Sequence, residues 1–275
     1  MRARNTGDTI LLALVCLLAF LWVVPLAWVI GLSFKPNEVL MQNTGGMFAP
    51  PFTTRNYANI AASSGVPGWI VNSLIVSLAQ TAITLVLCSL AGYGFARTEF
   101  PGRRILFVVV LVGLAVPEQA IVIPLFKMFA DADMHNTYTA LILPRLAAPF
   151  GVFLMTQYFR AIPKDIEEAA LLDNASRLKI FLRVVLPLSI PAQATLGVYT
   201  FLLAWNDYLW PLISASRPEM FTLTVGLAST QMNFAQSEGL GFLMAQAVFA
   251  GMPVLIVYLF FQRHIVTAVA GTAVR

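Results

Sequence analysis

The sequence predicts an all-α integral membrane fold of six transmembrane helices with both termini in the cytoplasm. Three observations predict it. Of the 275 residues, 59% are hydrophobic and only 11% charged, the apolar residues run in six blocks of about membrane length, and Lys and Arg gather on alternate connections. A soluble domain carries roughly a quarter charged residues, and its core could not absorb apolar blocks of this length. Residues 1–275 are therefore read as a single transmembrane domain.

A helix rises 1.5 Å per residue, so about 20 apolar residues cross the hydrocarbon, and in lipid only a helix of this kind keeps every backbone group paired. The first block, Thr9 to Phe34, follows Met-Arg-Ala-Arg. It is too long for the core of a signal peptide, and no small-residue cleavage site precedes Lys35, so it reads as a retained anchor and first span. The others run from Ile70 to Phe95, Ile105 to Met128, Ala140 to Phe159, Val184 to Trp205 and Gly241 to Phe261. Pro25, Pro117, Pro124, Pro144, Pro149, Pro187 and Pro253 interrupt them. In a membrane bundle, neighbouring helices satisfy the freed carbonyls and such kinks are tolerated.

Orientation follows from the basic residues. One side collects Arg2, Arg4, Arg97, Arg103, Arg104, Arg160, Lys164, Arg177, Lys179, Arg183, Arg263 and Arg275, and the other only Lys35, Arg55 and Arg217. Lys and Arg in short loops stay cytoplasmic, which puts both termini inside. The net charge of +4 is thus topology. No basic run dense enough for nucleic acid occurs, so no nucleic-acid partner is expected. The external connections, about residues 35–69 and 206–240, are turn-rich and long enough to meet a partner. No internal repeat is visible, unlike the duplicated halves of many secondary transporters.

Enzyme chemistry finds no support. Neither Gly-Lys-Ser nor Gly-Lys-Thr occurs, so the chain has no phosphate-binding loop. Cys16 and Cys88 lie inside apolar blocks and read as small hydrophobes, without a ligand set for a metal. His135 and His264 are far apart at membrane edges and read as surface histidines.

The connection between the fourth and fifth blocks carries more information. Ala161 to Pro187 reads AIPKDIEEAALLDNASRLKIFLRVVLP. Pro163 suits a first helical position, and Asp165, Glu167 and Glu168 set carboxylates against the positive end of a helix dipole. Ile166, Ala169, Ala170 and Leu172 fall along one side. So short a helix is unstable alone. Asp173-Asn174 breaks it, because Asn tolerates the left-handed conformation that ends helices. A basic, apolar segment, Ala175 to Val185, leads on to Pro187. These residues leave two readings open, a helix lying on lipid headgroups and a docking helix projecting into the cytoplasm. The three carboxylates count against the first, since interfacial anchors favour Lys and Arg.

Glu168-Ala169-Ala170, then Asn174, then Val184-Val185-Leu186-Pro187, resembles the EAA loop of importer permeases in the ATP-binding-cassette class: EAA, three residues, Gly, nine residues, Ile-x-Leu-Pro. Asn174 stands where that pattern has Gly, and Val184 where it has Ile. The likeness extends over nearly the whole chain, through Asn72-Ser73, GYGFARTEFPGRR at Gly92 to Arg104, Ala204-Trp205-Asn206-Asp207-Tyr208 and Gln262-Arg263. The tail, Gly271 to Arg275, departs from the usual Gly-Ala-Val-Lys ending. It is closest to the second membrane subunit of maltose, oligosaccharide and glycerol-3-phosphate importers.

The resemblance implies a multi-pass subunit of a bacterial or archaeal inner membrane, paired with a second permease subunit. It implies a cytoplasmic ATPase dimer that binds ATP and Mg, and an external substrate-binding protein; this chain itself would hold no cofactor or metal. The loop at about residues 161–183 would dock in a cleft of the ATPase through Glu167, Glu168, Ala169, Ala170, Leu172, Asp173 and Asn174. Glu168 would be its polar anchor, Ala169 and Ala170 its close-packed face and Asn174 its turn. The cargo expected is a sugar, with glycerol phosphate as the alternative.

Polar residues inside spans are costly and mark candidate pathways. Asn72, Glu118, Gln119, Arg145, Asn206 and Asp207 are the candidates for lining a sugar path, and pairing between helices, for example Glu118 with Arg145, is the competing explanation. Trp205, Tyr208 and Trp210 suit either sugar stacking or an interfacial aromatic belt. An ion-coupled carrier would use a carboxylate such as Glu118 as its switch, but the missing repeats and the EAA-like loop oppose it.

Overall fold

A computed structural model describes residues 6–41, 49–62, 65–234 and 239–273. Arg2, Arg4, Arg275 and part of each long external connection lie outside the described residues, as does the side chain of His264. The described residues form helices and turns with no strand. In order the helices are α1 (Thr6–Ser33), α2 (Asn37–Met41), α3 (Arg55–Ala62), α4 (Val66–Arg97), α5 (Arg103–Val112), α6 (Glu118–Asp131), α7 (Tyr138–Ile142), α8 (Pro149–Ala161), α9 (Lys164–Leu172), α10 (Arg177–Ile180), α11 (Leu186–Leu188), α12 (Ile190–Trp205), α13 (Leu209–Ser214), α14 (Leu223–Phe234) and α15 (Gly239–Ala273). They divide between two compact units, Met1–Pro67 with Leu227–Met252, and Gly68–Gly226 with Pro253–Arg275.

Among the described residues three helices are individually long and apolar enough to cross a membrane: Thr9–Ser33, Val66–Arg97 and Gly239–Phe260. The other three apolar blocks are bent. Arg103–Ala115 meets Glu118–Asp131 at 100°, Tyr138–Arg145 meets Pro149–Ala161 at 50°, and Arg177–Leu188 meets Ile190–Trp205 at 75°. The cause of the first two breaks is local. A residue before proline is pushed out of the helical region, and Val116 before Pro117 has ψ 114° while Ala148 before Pro149 has φ −112° and ψ 82°. Pro25, Pro124 and Pro253 remain inside continuous helices. The fifth expected span, Val184 to Trp205, is therefore no straight helix; it turns at Ser189, and a π-helical stretch, Phe181–Val185, precedes Pro187.

In the first unit, α1 is apolar all round and none of its residues from Thr9 to Leu32 is buried within the chain, the signature of a helix whose solvent is lipid or another protein. Its C-terminal carbonyls need partners. Asn56 of α3 supplies them, donating through Nδ2 to the carbonyls of Ser33 at 2.8 Å and Lys35 at 3.0 Å. Ser33 Oγ meets the Tyr57 hydroxyl at 2.7 Å. Lys35, at the start of the first external connection, is 1% exposed; its ammonium donates to the Ala49 carbonyl and lies 4.8 Å from the Phe52 ring.

The second unit is organised by α4, whose 32 residues make a rod of about 48 Å. Ser73, Ser77, Gln80, Thr84 and Cys88 recur every three or four residues along it and are all buried. Small residues let membrane helices approach closely, and α8 packs against this face. A Cβ at Gly92 would lie 2.7 Å from Cβ of Met155 and 3.0 Å from its backbone, and one at Gly151 would lie 2.6 Å from Cys88 Sγ. Gly92→Ala forces the two helices apart and costs about 1–3 kcal/mol. The thermal unfolding midpoint of the detergent-solubilised protein falls accordingly; an unchanged midpoint contradicts the close approach.

Beside this seam lies a buried cluster, which joins Cys88, Met155, Phe159, Ile162, Ile180, Phe181, Val185, Ala192 and Leu196. It seats both ends of the connection between α8 and α12.

Candidate functional site

Helix α9 starts at Lys164, with Pro163 as its N-cap in an extended conformation (ψ 135°) rather than as its first helical residue. Asp165 and Glu167 occupy its first turn, where carboxylates favour the helix dipole. Its end is a Schellman motif: the amide of Asn174 donates to Leu171 O at 3.0 Å, the amide of Ala175 donates to Ala170 O at 3.1 Å, and Asn174 is left-handed with φ 54°. Ser176 then caps α10, its hydroxyl accepting from the amide of Lys179. An Ala at position 174 pays the left-handed penalty of about 1–2 kcal/mol. We therefore expect Asn174→Ala to speed amide hydrogen exchange in residues 164–175, and Asn174→Gly to leave it no faster than native.

Of the residues expected to dock, Glu167 and Ala170 turn toward the body and the others face outward. The apolar residues Ile166, Ala169 and Leu172 point away from the body, and Leu172 is 86% exposed. Glu168, Asp173 and Asn174 are exposed as well. Only Ala170 packs on the buried cluster. Glu167 turns inward, where its carboxylate pairs with Arg97 Nε at 2.6 Å and accepts from the Tyr93 hydroxyl at 3.2 Å. The Arg97 and Glu167 side chains are 6% and 13% exposed. Arg97 also donates to the carbonyl of Ile162, just before α9. Nothing in the local sequence signals this pairing, because Arg97 reads simply as a basic residue at a span end.

A second polar centre lies where the bent helices break. Arg145 donates to Glu118 at the start of α6 and to Asp207 just beyond α12, with Nη2 2.8 Å and Nε 3.0 Å from Asp207 Oδ2. Asp207 is 8% exposed at its side chain, Arg145 27% and Glu118 60%. Burial lifts the Asp207 carboxyl above the ordinary carboxylate range, with Arg145 pulling the other way. One guanidinium thus ties three bent helices together, so the pairing explanation describes the arrangement seen, enlarged by Asp207. A cavity of about 500 Å³ opens beside it, lined by Gln80, Glu118, Arg145, Tyr199, Thr200 and Trp210 among apolar side chains. That size suits a small-molecule site.

The other candidates fall elsewhere. Asn72 is 4% exposed, and its amide donates to the carbonyls of Glu219 and Phe221 at 2.7 and 2.9 Å while accepting from the Tyr138 hydroxyl at 2.6 Å. Gln119 is exposed on α6, and Asn206 donates back to Leu202 O at 2.8 Å. Trp205 and Trp210 are 2% and 3% exposed. Neither forms an interfacial belt: the Trp210 ring packs on Phe129 and its indole donates to Ala140 O at 2.8 Å. Tyr208 alone of the three is exposed, at 43%. Gln80 was not anticipated; it donates to Leu141 O at 2.9 Å and meets the cavity. Among the described residues no cluster of three or more His, Cys, Asp or Glu side chains could hold a metal.

Apolar helices broken at prolines around a cavity, with one short helix projecting from the body, have the architecture of a membrane transport component. Residues 88–271 match the family described as binding-protein-dependent transport system inner membrane component. The chain is 33% identical to the arabinooligosaccharides transport system permease protein AraQ of Halalkalibacterium halodurans, over 94% of this chain and 93% of that one. It is 33% identical to the diacetylchitobiose uptake system permease protein NgcG of Streptomyces coelicolor, over 98% and 91%. It is also 33% identical to the lactose transport system permease protein LacG of Rhizobium radiobacter, over 98% and 97%. In fold it is similar to a chain of the crystal structure of a bacterial ABC transporter involved in import of the acidic polysaccharide alginate, with TM-score 0.82 and 21% identity over 96% of this chain and 98% of that one. A second structure, of a bacterial alginate ABC transporter in complex with an alginate pentasaccharide-bound periplasmic protein, aligns with TM-score 0.61 and 17% identity over 94% and 96%. This chain belongs to the binding-protein-dependent transport system inner membrane component family.

Proposed function

We propose that the chain is one of two membrane-spanning subunits of an ATP-driven importer, and that it forms half of the path for a di- or oligosaccharide. All of residues 1–275 work as one transmembrane permease domain. It crosses a bacterial or archaeal inner membrane six times, each bent pair counting as one crossing, with both termini inside as the basic residues require. A second permease subunit completes the heterodimer. An external binding protein delivers the sugar, and a cytoplasmic ATPase dimer binds ATP and Mg and carries out hydrolysis, so this chain contributes no catalytic residue.

The observation that carries this reading is the outward ridge of α9. Ile166, Ala169 and Leu172 are exposed beside Glu168, Asp173 and Asn174 on a short capped helix. Apolar side chains left outside on a stiff projection call for a protein cleft, and the lead carboxylates oppose a seat on lipid headgroups. Nucleotide-driven closure of the ATPase dimer then moves α9 and rocks the helices around the cavity. Glu118 and Arg145 line the path, with Asp207 behind them; Gln119 and Asn206 extend it, and Asn72 holds its flank.

The sugar class rests on relatives whose names specify arabinooligosaccharides, diacetylchitobiose and lactose. Arg145 supports it too. A phosphate ester would need a free cation, and Arg145 already faces two carboxylates. The ion-coupled alternative needs a carboxylate free to change its proton, and Glu118 is held by the same guanidinium.

Reconstitution with the partner permease, ATPase and binding protein tests the proposal. We expect ATP-driven uptake from a panel of neutral oligosaccharides. Uptake of glycerol 3-phosphate in preference to every sugar, or uptake driven by a proton gradient without ATP, overturns it.

A further inference from the structure

The pair formed by Arg97 and Glu167 has properties that neither packing nor docking explains. Helix α9 has nine residues, too few to hold a helical direction alone. Of its side chains, Ala170 alone rests on the buried cluster, and one methyl group fixes little. Its remaining inward group is Glu167, whose carboxylate meets Arg97 at 2.6 Å and the Tyr93 hydroxyl at 3.2 Å. Arg97 also grips the Ile162 carbonyl. The guanidinium therefore holds the entry to α9 and its first turn at once, and two fixed points define a direction. Tyr93 adds a third contact from one turn back along α4. Its ring lies 4.9 Å from that of Phe181 and 6.1 Å from that of Phe159, edge-on to the latter.

What this clamp holds α9 to is equally informative. Three of the apolar blocks are bent by 50° to 100°. Helix α4 is continuous from Val66 to Arg97. Gln80 on the same helix reaches the cavity, about 26 Å along the axis from Arg97. Buried ion pairs add little net stability against apolar replacements, and their best-attested value is fixing one geometry.

We infer that Arg97 is a positioning residue: through Glu167 and the Ile162 carbonyl it locks α9 to the end of α4, making α4 the rod that carries motion of α9 to the cavity. Glu167 is then the internal anchor of the projecting helix, and Glu168 faces the motor protein. The inference rests on the proposal that α9 receives force from an ATPase.

The test needs no knowledge of the sugar. Thr200, which lines the cavity, is replaced by Cys in a background where Cys16 and Cys88 are Ala, and the chain is assembled with its partner permease and ATPase in nanodiscs. The probe is a maleimide, and the readout is the ratio of labelling rates with and without Mg-ATP and vanadate. Coupling between sites spans about 5–150-fold; we expect a ratio of ~10 in this background. Arg97→Met and Glu167→Gln each bring it below about twofold at equal ATPase content, and Arg97→Lys, which keeps the charge but not the planar fork that spans both partners, retains only part of it.

A ratio in both Arg97→Met and Glu167→Gln equal to that of the background overturns the inference. Where Arg97→Met does not assemble, Glu167→Gln decides, because it keeps the side-chain shape and the Tyr93 contact. If the background itself shows no nucleotide response, the coupling reading fails first and takes this inference with it. If Glu168→Lys flattens the response and the Arg97 and Glu167 variants do not, only the lock is wrong.

Discussion

We expect Glu168→Lys to abolish sugar uptake while the chain still inserts, folds and pairs with the proposed partner permease. Glu168 is exposed on α9, and surface substitutions of this kind change stability by no more than about 0.5 kcal/mol. The chain's own fold therefore has little to lose. At a protein interface the sign of the change is different. Reversing the charge of an anchoring group sets like charges together and costs about 2–5 kcal/mol, which at 1.4 kcal/mol per decade is more than tenfold in affinity. The measurement is twofold: the ATPase retained on the purified membrane subunits, and ATP-driven uptake by proteoliposomes. Native uptake by the variant contradicts the role given to α9.

Arg145→Leu has the largest expected effect on the membrane body itself. The native guanidinium serves Glu118 and Asp207, and the Asp207 side chain is only 8% exposed. Removing one partner from a buried pair leaves a charge uncompensated, at about 3–5 kcal/mol. It also unties the breaks of the third and fourth apolar blocks from the end of the fifth. We expect the variant to accumulate poorly and to unfold at a lower temperature. Neutralising both carboxylates as well, in Arg145→Leu with Glu118→Gln and Asp207→Asn, recovers most of the loss, because an intact polar network can be exchanged for neutral groups at little cost. A single variant as heat-resistant as native sinks the account of this cluster.

The apolar blocks were legible because a hydrophobic run of membrane length has one physical solution. Their bends were only half legible. Pro117 and Pro149 announce a break through the residue before them, while Pro25, Pro124 and Pro253 carry the same local signal and remain helical; only the surrounding packing separates the two outcomes. The left-handed turn at Asn174 was readable, since few residues other than Gly and Asn adopt it. The faces of α9 were not. Helical spacing groups Ile166, Ala169 and Leu172 on one side but does not say whether that side meets the body or leaves it.

Long-range polar pairs were the least legible. Arg97 and Glu167 are 70 positions apart, and Arg97 already had a sufficient explanation in topology. Pairing of Glu118 with Arg145 was foreseeable because both follow a proline inside an apolar block. Asp207 was missed as their third member because it lies beyond a span end. Asn72 shows the converse: it was singled out for polarity, and its whole amide is engaged by its own fold.

The most direct test of the central claim is a photo-crosslinking amino acid at position 172, the most exposed apolar site on α9, irradiated in intact membranes with and without Mg-ATP. We expect crosslinks to the ATPase subunit whose yield changes with nucleotide. Crosslinks to an external binding protein, or to lipid alone in both nucleotide states, would contradict it.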